Sequence, residues 1–427
     1  MKNDSASTTG KKHRLALILI VSMFALWGLA HRLYDTLRPE FASALALNSF
    51  QSDLAQWALS IAYFIMPLPA ALVTRNFGYK SGVIFGLGCF AVGLFLFFPA
   101  ADQLSYPILL GAALVTGSGL CILEVAADPL IVRLGPVESA VRRLNLAQAL
   151  NPLGVLVGLV VGGWIIQTVA QAPHGQTVHA LVTPYLVIGA GVMLFAFIVE
   201  QVEFPPVASE RVTMNDSTLK SFSKVLSLRM FRYGMAAQAL CSVAQVLLWG
   251  FTVRYAENAM PGLSDAGAMD ILLWSLIAFT VGRVAGTALM YRFDPSHVLT
   301  VFSGAAALAA AFAAVTGNEA GVYGIVAASF FLSITFPTIF GSTIRDLGPL
   351  TKSGAALLML AAGSGAAVFA LANLTVSKAA VQYVMLLPSL SFALIAVFAV
   401  YFRRAAGTER KAAAGSGTVP AAVPLAK

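Results

Sequence analysis

Charge is what this chain has least of: Asp, Glu, Lys and Arg together make up 11% of its 427 residues, whereas 58% are hydrophobic. So few charged side chains cannot cover a water-soluble domain, and a mean hydropathy of +0.81 excludes that class. Cysteine is nearly missing too. Cys89, Cys121 and Cys241 all lie inside apolar runs, at spacings that suggest neither a disulfide framework nor a metal site, and they read as small core residues. No nucleophile and base pair, metal-ligand cluster or phosphate-binding loop stands out, so the expectations include no enzyme, no metal and no organic cofactor.

What the chain has instead is apolar runs of about 20 residues, the length that crosses a bilayer as a helix. They predict twelve spans, over 15–36, 54–75, 82–100, 107–131, 145–170, 180–199, 231–256, 267–291, 297–316, 319–343, 353–375 and 381–402. The fold class is therefore an all-α membrane protein whose helices satisfy their own backbone hydrogen bonds. The longest connection, with Pro205 and Pro206, splits the spans six and six. The reading is a cytoplasmic tail (1–14), a six-helix bundle (15–199), a cytoplasmic linker (200–230), a second six-helix bundle (231–402) and a disordered tail (403–427).

Basic residues set the orientation. With the N-terminus inside, 22 of the 27 Lys and Arg fall in cytoplasmic segments, leaving Arg32, Arg38, Arg254, Arg283 and Lys378. Both termini are then cytoplasmic. The net charge of +8 reflects topology and membrane-surface contact, and it calls for no nucleic acid.

An internal repeat relates the halves. "LWGLAHRLYD" (Leu26 to Asp35) pairs with "LWGFTVRYAE" (Leu248 to Glu257), "VTRNFGYKSG" (Val73 to Gly82) with "LMYRFDPSHV" (Leu289 to Val298), and "RLGP" (Arg133 to Pro136) with "DLGP" (Asp346 to Pro349). The offsets are 222, 216 and 213 residues, in one order. Three matches in register indicate two pseudo-symmetric six-helix bundles, the plan of the major facilitator superfamily, in which halves rock around a central solute.

Polar groups inside the spans then mark a site, because ionisable side chains in hydrocarbon face a partner or a wet cavity. Trp27, His31 and Asp35 recur every four residues and share one face of the first helix. Glu124 and Asp128 stand one turn apart in the fourth span. Asn145, Gln148 and Asn151 give the fifth a polar face, and Gln238, Gln245 and Trp249 do the same for the seventh. Each has a plainer reading. Asp35 can pair with Arg32 or Arg38, Glu124 with Arg283, Asp128 can pack a loop, His31 can snorkel, and the amides can be interhelical glue. Arg283 and the loop arginine Arg133 read as gate residues. A neutral polyol would use such acceptors, donors and indole faces, and a buried carboxylate supplies proton coupling because desolvation favours its neutral form until its surroundings change.

On these motifs the chain resembles the fucose:proton symporter family of the major facilitator superfamily. The segments that carry the resemblance are "FALWGLAHRLYDTLRPEF", "NSFQSDLAQWALSIAYFIMPLPAALVTRNFGYKSG", "LEVAADPLIVRLGPVESAVRRLNLAQALNPLG", "AQALCSVAQVLLWGFTVRYA" and "FPTIFGSTIRDLG". The resemblance implies that Asp35 couples the proton and that Glu124, with Gln148 and Asn151, binds sugar. It also implies a monomer in the bacterial inner membrane that imports a hexose or deoxyhexose on the proton gradient. The chain departs from the family pattern at His31, Arg32, Asp128, Pro152 and Cys241. A cation beside the site leaves a sugar acid as the alternative solute, and a non-transporting membrane sensor or scaffold as the alternative class.

Overall fold

The computed structural model describes residues 2–170, 177–210 and 218–416, and among them every regular element is a helix. The first stretch holds α1 (Lys2–Ala44), α2 (Ser49–Ile65), α3 (Pro67–Phe77), α4 (Tyr79–Asp102), α5 (Tyr106–Arg133), α6 (Ala140–Gln148) and α7 (Leu150–Ala170). After it come α8 (Thr177–Gln201), the one-turn α9 (Pro206–Ser209), α10 (Thr218–Ser227), α11 (Arg229–Gly250), α12 (Thr252–Ala259) and α13 (Asp265–Leu289). The chain ends with α14 (Pro295–Thr316), α15 (Glu319–Leu332), α16 (Thr335–Ile344), α17 (Thr351–Thr375) and α18 (Leu386–Ser416).

All twelve predicted spans are helical, and proline sets three of their breaks. Among the described residues ten stretches are long and apolar enough to cross a membrane by themselves, and α11 with α12, bent by 45°, makes an eleventh when counted as one span. The second predicted span is divided at Met66 between α2 and α3. Pro67 and Pro69 offer no N–H to the carbonyls one turn back, and their rings crowd them. The same device separates α6 from α7, where Pro152 follows Ala149, and α15 from α16, where Pro337 follows Ser333. Asn48 restarts the chain before α2 with a capping box, accepting from the Gln51 N–H at 2.9 Å while its own N–H meets Gln51 Oε1 at 3.0 Å.

The helices form two compact units. The first comprises Met1–Leu134 and Leu150–Asn215. Its α1 and α7 approach closely because Gly154 and Gly158 lie against the α1 backbone. A Cβ on Gly154 would strike the Ala25 carbonyl, and one on Gly158 would come 2.7 Å from the Leu29 carbonyl. Phe97 and Tyr185 stack at 4.4 Å near Phe41, and the Tyr34 hydroxyl donates to the Ala55 carbonyl at 2.5 Å.

The second unit comprises Gly135–Ala149 and Asp216–Lys427. Here α11 packs on α16, α17 and α18, and α6 rests on α13 and α16. Tyr255 ties α12 to α14 by donating to the Ala313 carbonyl at 2.6 Å. Leu308, Val315, Tyr323 and Leu374 stand exposed, as a lipid-facing surface requires.

Two expectations need correcting. The stretch 135–149, read from sequence as part of the bundle 15–199, packs with the second unit, because α6 is severed from α7 by the break at Ala149 and lies on α13 and α16. The tail read as disordered from 403 continues α18 as far as Ser416; its remainder, 417–427, lies outside the described residues, as do 211–217 of the linker. The repeat has a backbone counterpart. Gly135 and Gly348, the glycines of "RLGP" and "DLGP", both take positive φ (142° and 53°), and each leads into a 3-10 turn before the next helix.

Candidate functional site

The fourth span shows where the first unit opens. From Thr116 to Val132 every residue of α5 is buried except Glu124, which is partly exposed. A carboxylate at the single opening of an apolar helix has the access that a proton or a solute needs. Around it, Trp27 donates from Nε1 to the Tyr63 hydroxyl at 3.1 Å, and Tyr63 lies within electrostatic range of Glu124. His31, one turn beyond Trp27, stacks on its ring with centroids 5.4 Å apart and planes at 15°. Helix spacing thus lines up His31 and Trp27, and the sequence places an indole, a phenol and a carboxylate together.

Asp35 continues that face of α1, partly exposed, and forms no ion pair among the described residues. The plainer reading of Asp35 as a partner of Arg38 does not describe this structure. Arg38 turns to α2 and donates from Nη1 to Ser52 Oγ at 2.9 Å. Asp128 is fully buried one turn after Glu124, near enough for the two carboxylates to feel each other. Asn151 donates to the Phe24 carbonyl at 3.4 Å, which joins α7 to α1. Arg133, at the end of α5, forms an ion pair with Glu210 at 2.6 Å.

The second unit holds the other predicted residues. Gln148 ends α6, and Pro152 has no N–H to give its carbonyl. Arg283, buried on α13, supplies one instead: Nη1 lies 3.3 Å from Gln148 O and 3.4 Å from its Oε1. The guanidinium also sits over the Phe279 ring at 4.8 Å, and Trp249 meets that ring edge-on at 4.9 Å. Trp249 donates from Nε1 to Ser329 Oγ at 3.2 Å, so each repeat's tryptophan gives its indole N–H to a hydroxyl of its own unit. Gln245, one turn before Trp249, is partly exposed and makes no hydrogen bond among the described residues.

The structure therefore brings together Trp27, His31 and Glu124 in one unit, and Gln148, Arg283 and Trp249 in the other. Two contributors escaped the sequence reading. Tyr63 lies in an apolar run, where an aromatic reads as core. Thr338, bonded to Asn145 Nδ2 at 3.1 Å, follows Pro337 and looks like helix filler. Its only signal is the proline break that leaves side-chain polarity useful nearby.

A sequence profile of the Major Facilitator Superfamily matches residues 15–370. The L-fucose-proton symporter of Escherichia coli is 34% identical over 93% of this chain and 95% of its own length. The glucose/galactose transporter of Brucella abortus is 30% identical over 92% of this chain and 95% of its own. Among solved structures, a single-substitution variant of the E. coli fucose:proton symporter is 32% identical and superposes with a TM-score of 0.83, covering 92% of this chain and 99% of that one.

Proposed function

The chain belongs to the major facilitator superfamily, and from that premise we propose that it is a proton-coupled symporter that imports a monosaccharide, L-fucose or a related hexose or deoxyhexose, by alternating access. One observation carries the reading: Glu124 is the only opening in a buried stretch of α5, beside the Trp27 and Tyr63 pair. Carboxylate, phenol and indole offer a sugar the acceptor, donor and apolar face that its hydroxyls and ring require.

Glu124 and Asp35 carry the proton coupling. Asp35 has no cation paired to it among the described residues, which supports that role. Trp27, His31, Glu124, Asp128, Gln148, Asn151, Gln245 and Trp249 form the solute-binding set. Arg283 and Arg133 act on the gates, the former through Gln148 and the latter through Glu210. The chain works without an organic cofactor or metal and performs no covalent chemistry; the proton gradient is its driving force. It sits as a monomer in the bacterial inner membrane with both termini in the cytoplasm, the side that the Lys and Arg distribution selects.

The test is proton movement. Adding L-fucose or galactose to de-energised cells that express the chain should make a lightly buffered medium more alkaline, because solute and proton enter together. Solute entry without alkalinisation removes the coupling, and no entry of any monosaccharide removes the reading.

A further inference from the structure

Gln238 is a buried amide that the binding and gating sets leave unused. It lies on α11, fully buried, and neither its amide oxygen nor its amide nitrogen meets a hydrogen-bond partner among the described residues. A buried polar group without a partner destabilises the conformation that buries it, so such a residue needs a reason.

Helix register identifies its surroundings. Cys241 Sγ lies 3.1 Å from Thr335 Oγ1, and a Cβ on Gly234 would strike the Thr343 side chain. These two contacts run α11 and α16 antiparallel and place Gln238, between Gly234 and Cys241 on one face, opposite Thr338. Thr338 is fully buried and already engaged by Asn145 of α6, from Nδ2 at 3.1 Å and through Oδ1 at 3.4 Å. Asn145 also holds its own helix, donating to the Val141 carbonyl at 2.9 Å. The α6 segment thus supplies the amide that satisfies Thr338 and leaves the Gln238 amide shut in with nothing to bond.

We propose that the Gln238 amide is a hydroxyl-binding subsite, complete only when α6 has moved off α16, where it pairs with a hydroxyl of the transported sugar or with entering water. With α6 seated, Gln238 disfavours this conformation. Once Asn145 withdraws, Gln238 and Thr338 together present a donor and acceptors to whatever hydroxyl enters. The residue therefore weights the balance between the two arrangements of α6, and through it the rate at which the carrier reorients. This inference rests on the transport reading above.

Gln238→Met keeps the volume and removes the amide, and Gln238→Leu repeats the test with a different shape. Both are made in the full-length chain, and thermal unfolding is followed in detergent alongside exchange of labelled L-fucose and galactose across proteoliposomes. The expected result is higher thermal stability together with exchange slowed about tenfold, the equivalent of about 1.4 kcal/mol. A sugar hydroxyl as the partner raises the KM at the α6-opened face and leaves the opposite KM unchanged; water as the partner slows all transported sugars equally with both KM values unchanged. Wild-type exchange in both variants, or lower thermal stability in both, overturns the proposal. If the unmodified chain exchanges no sugar, the transport reading fails and the stability comparison alone decides the role of Gln238.

Discussion

Arg283 donates to the Gln148 carbonyl across 3.3 Å, although 135 residues separate them in sequence. Pro152 sets up this bond because its missing N–H leaves the Gln148 carbonyl without the helical donor one turn on. A residue proposed to bind solute is thereby held by a residue proposed to act on the gate. On the proposed roles, a sugar hydroxyl that engages Gln148 Oε1, itself 3.4 Å from Arg283 Nη1, would compete for the same group and link solute binding to release of the gate.

That link predicts the behaviour of Arg283→Lys. Lysine keeps the charge and loses the planar guanidinium whose Nη1 reaches both the backbone and side-chain oxygens of Gln148 and whose face lies over Phe279. Hydrogen bonds from a charged group contribute about 1.5–3 kcal/mol, so the seam between α6 and α13 should loosen by roughly that amount. Solute-independent proton leak through proteoliposomes measures it. Leak at the wild-type level would show that the Arg283 contact does not hold the gate.

Pro152→Ser tests the same bond from the other side. Serine restores a backbone N–H to the Gln148 carbonyl and allows α6 to run on into α7, which removes the opening that Arg283 fills. The expected outcome is a more stable helix and slower exchange, since α6 can no longer turn independently at Ala149. Faster or unchanged exchange of labelled sugar would contradict this account of the break.

The Trp27 and Tyr63 pair gives a graded prediction at the solute site. Trp27→Phe retains an aromatic face and deletes the indole N–H, a hydrogen bond with a net contribution of about 0.5–1.5 kcal/mol. Solute affinity, measured by calorimetry in detergent, should fall roughly two- to tenfold. Glu124→Gln should reduce binding further while leaving thermal unfolding close to wild type, because Glu124 is partly open and makes no ion pair among the described residues. An unchanged affinity in Glu124→Gln would remove it from the site.

Packing predictions fall on Gly154. A Cβ there meets the Ala25 carbonyl, a backbone atom that cannot rotate away, so Gly154→Ala has to push α1 off α7. Overpacking of this kind costs about 1–3 kcal/mol, seen as a lower unfolding temperature. A stability equal to wild type would mean that α1 and α7 are farther apart in the membrane.

Much of this was legible in the sequence because the relevant signals are local. Apolar run length marked stretches that are helical throughout the described residues, ten or eleven of them long and apolar enough to cross a membrane, and the spacing of Trp27 and His31 anticipated the shared face on which their rings stack. The repeat predicted from "RLGP" and "DLGP" reappears as matched positive-φ glycines, since a tight turn before a 3-10 start demands that backbone wherever it occurs. The rest depends on contacts that no local pattern encodes. Residues 135–149 lie between the fourth span and the body of the fifth in sequence but pack on α13 and α16, because the α6–α7 break frees them to do so. Tyr63 and Thr338 are of types that usually fill helices, and only their partners, an indole N–H and an asparagine 193 residues away, distinguish them.

The division of labour between the carboxylates is tested by Asp35→Asn. If Asp35 carries the coupled proton, the variant should still exchange sugar down its gradient at a rate near wild type and lose accumulation against it. Loss of both activities would place Asp35 in the binding site itself.

The most direct measurement of the central claim is uptake of labelled L-fucose, with galactose in parallel, into proteoliposomes that hold the purified chain, with and without an imposed inward proton gradient. The account predicts accumulation above the external concentration when the gradient is present, equilibration when it is absent, and collapse to equilibration on adding a protonophore. Uptake that ignores the gradient, or no saturable uptake of either sugar, would contradict it.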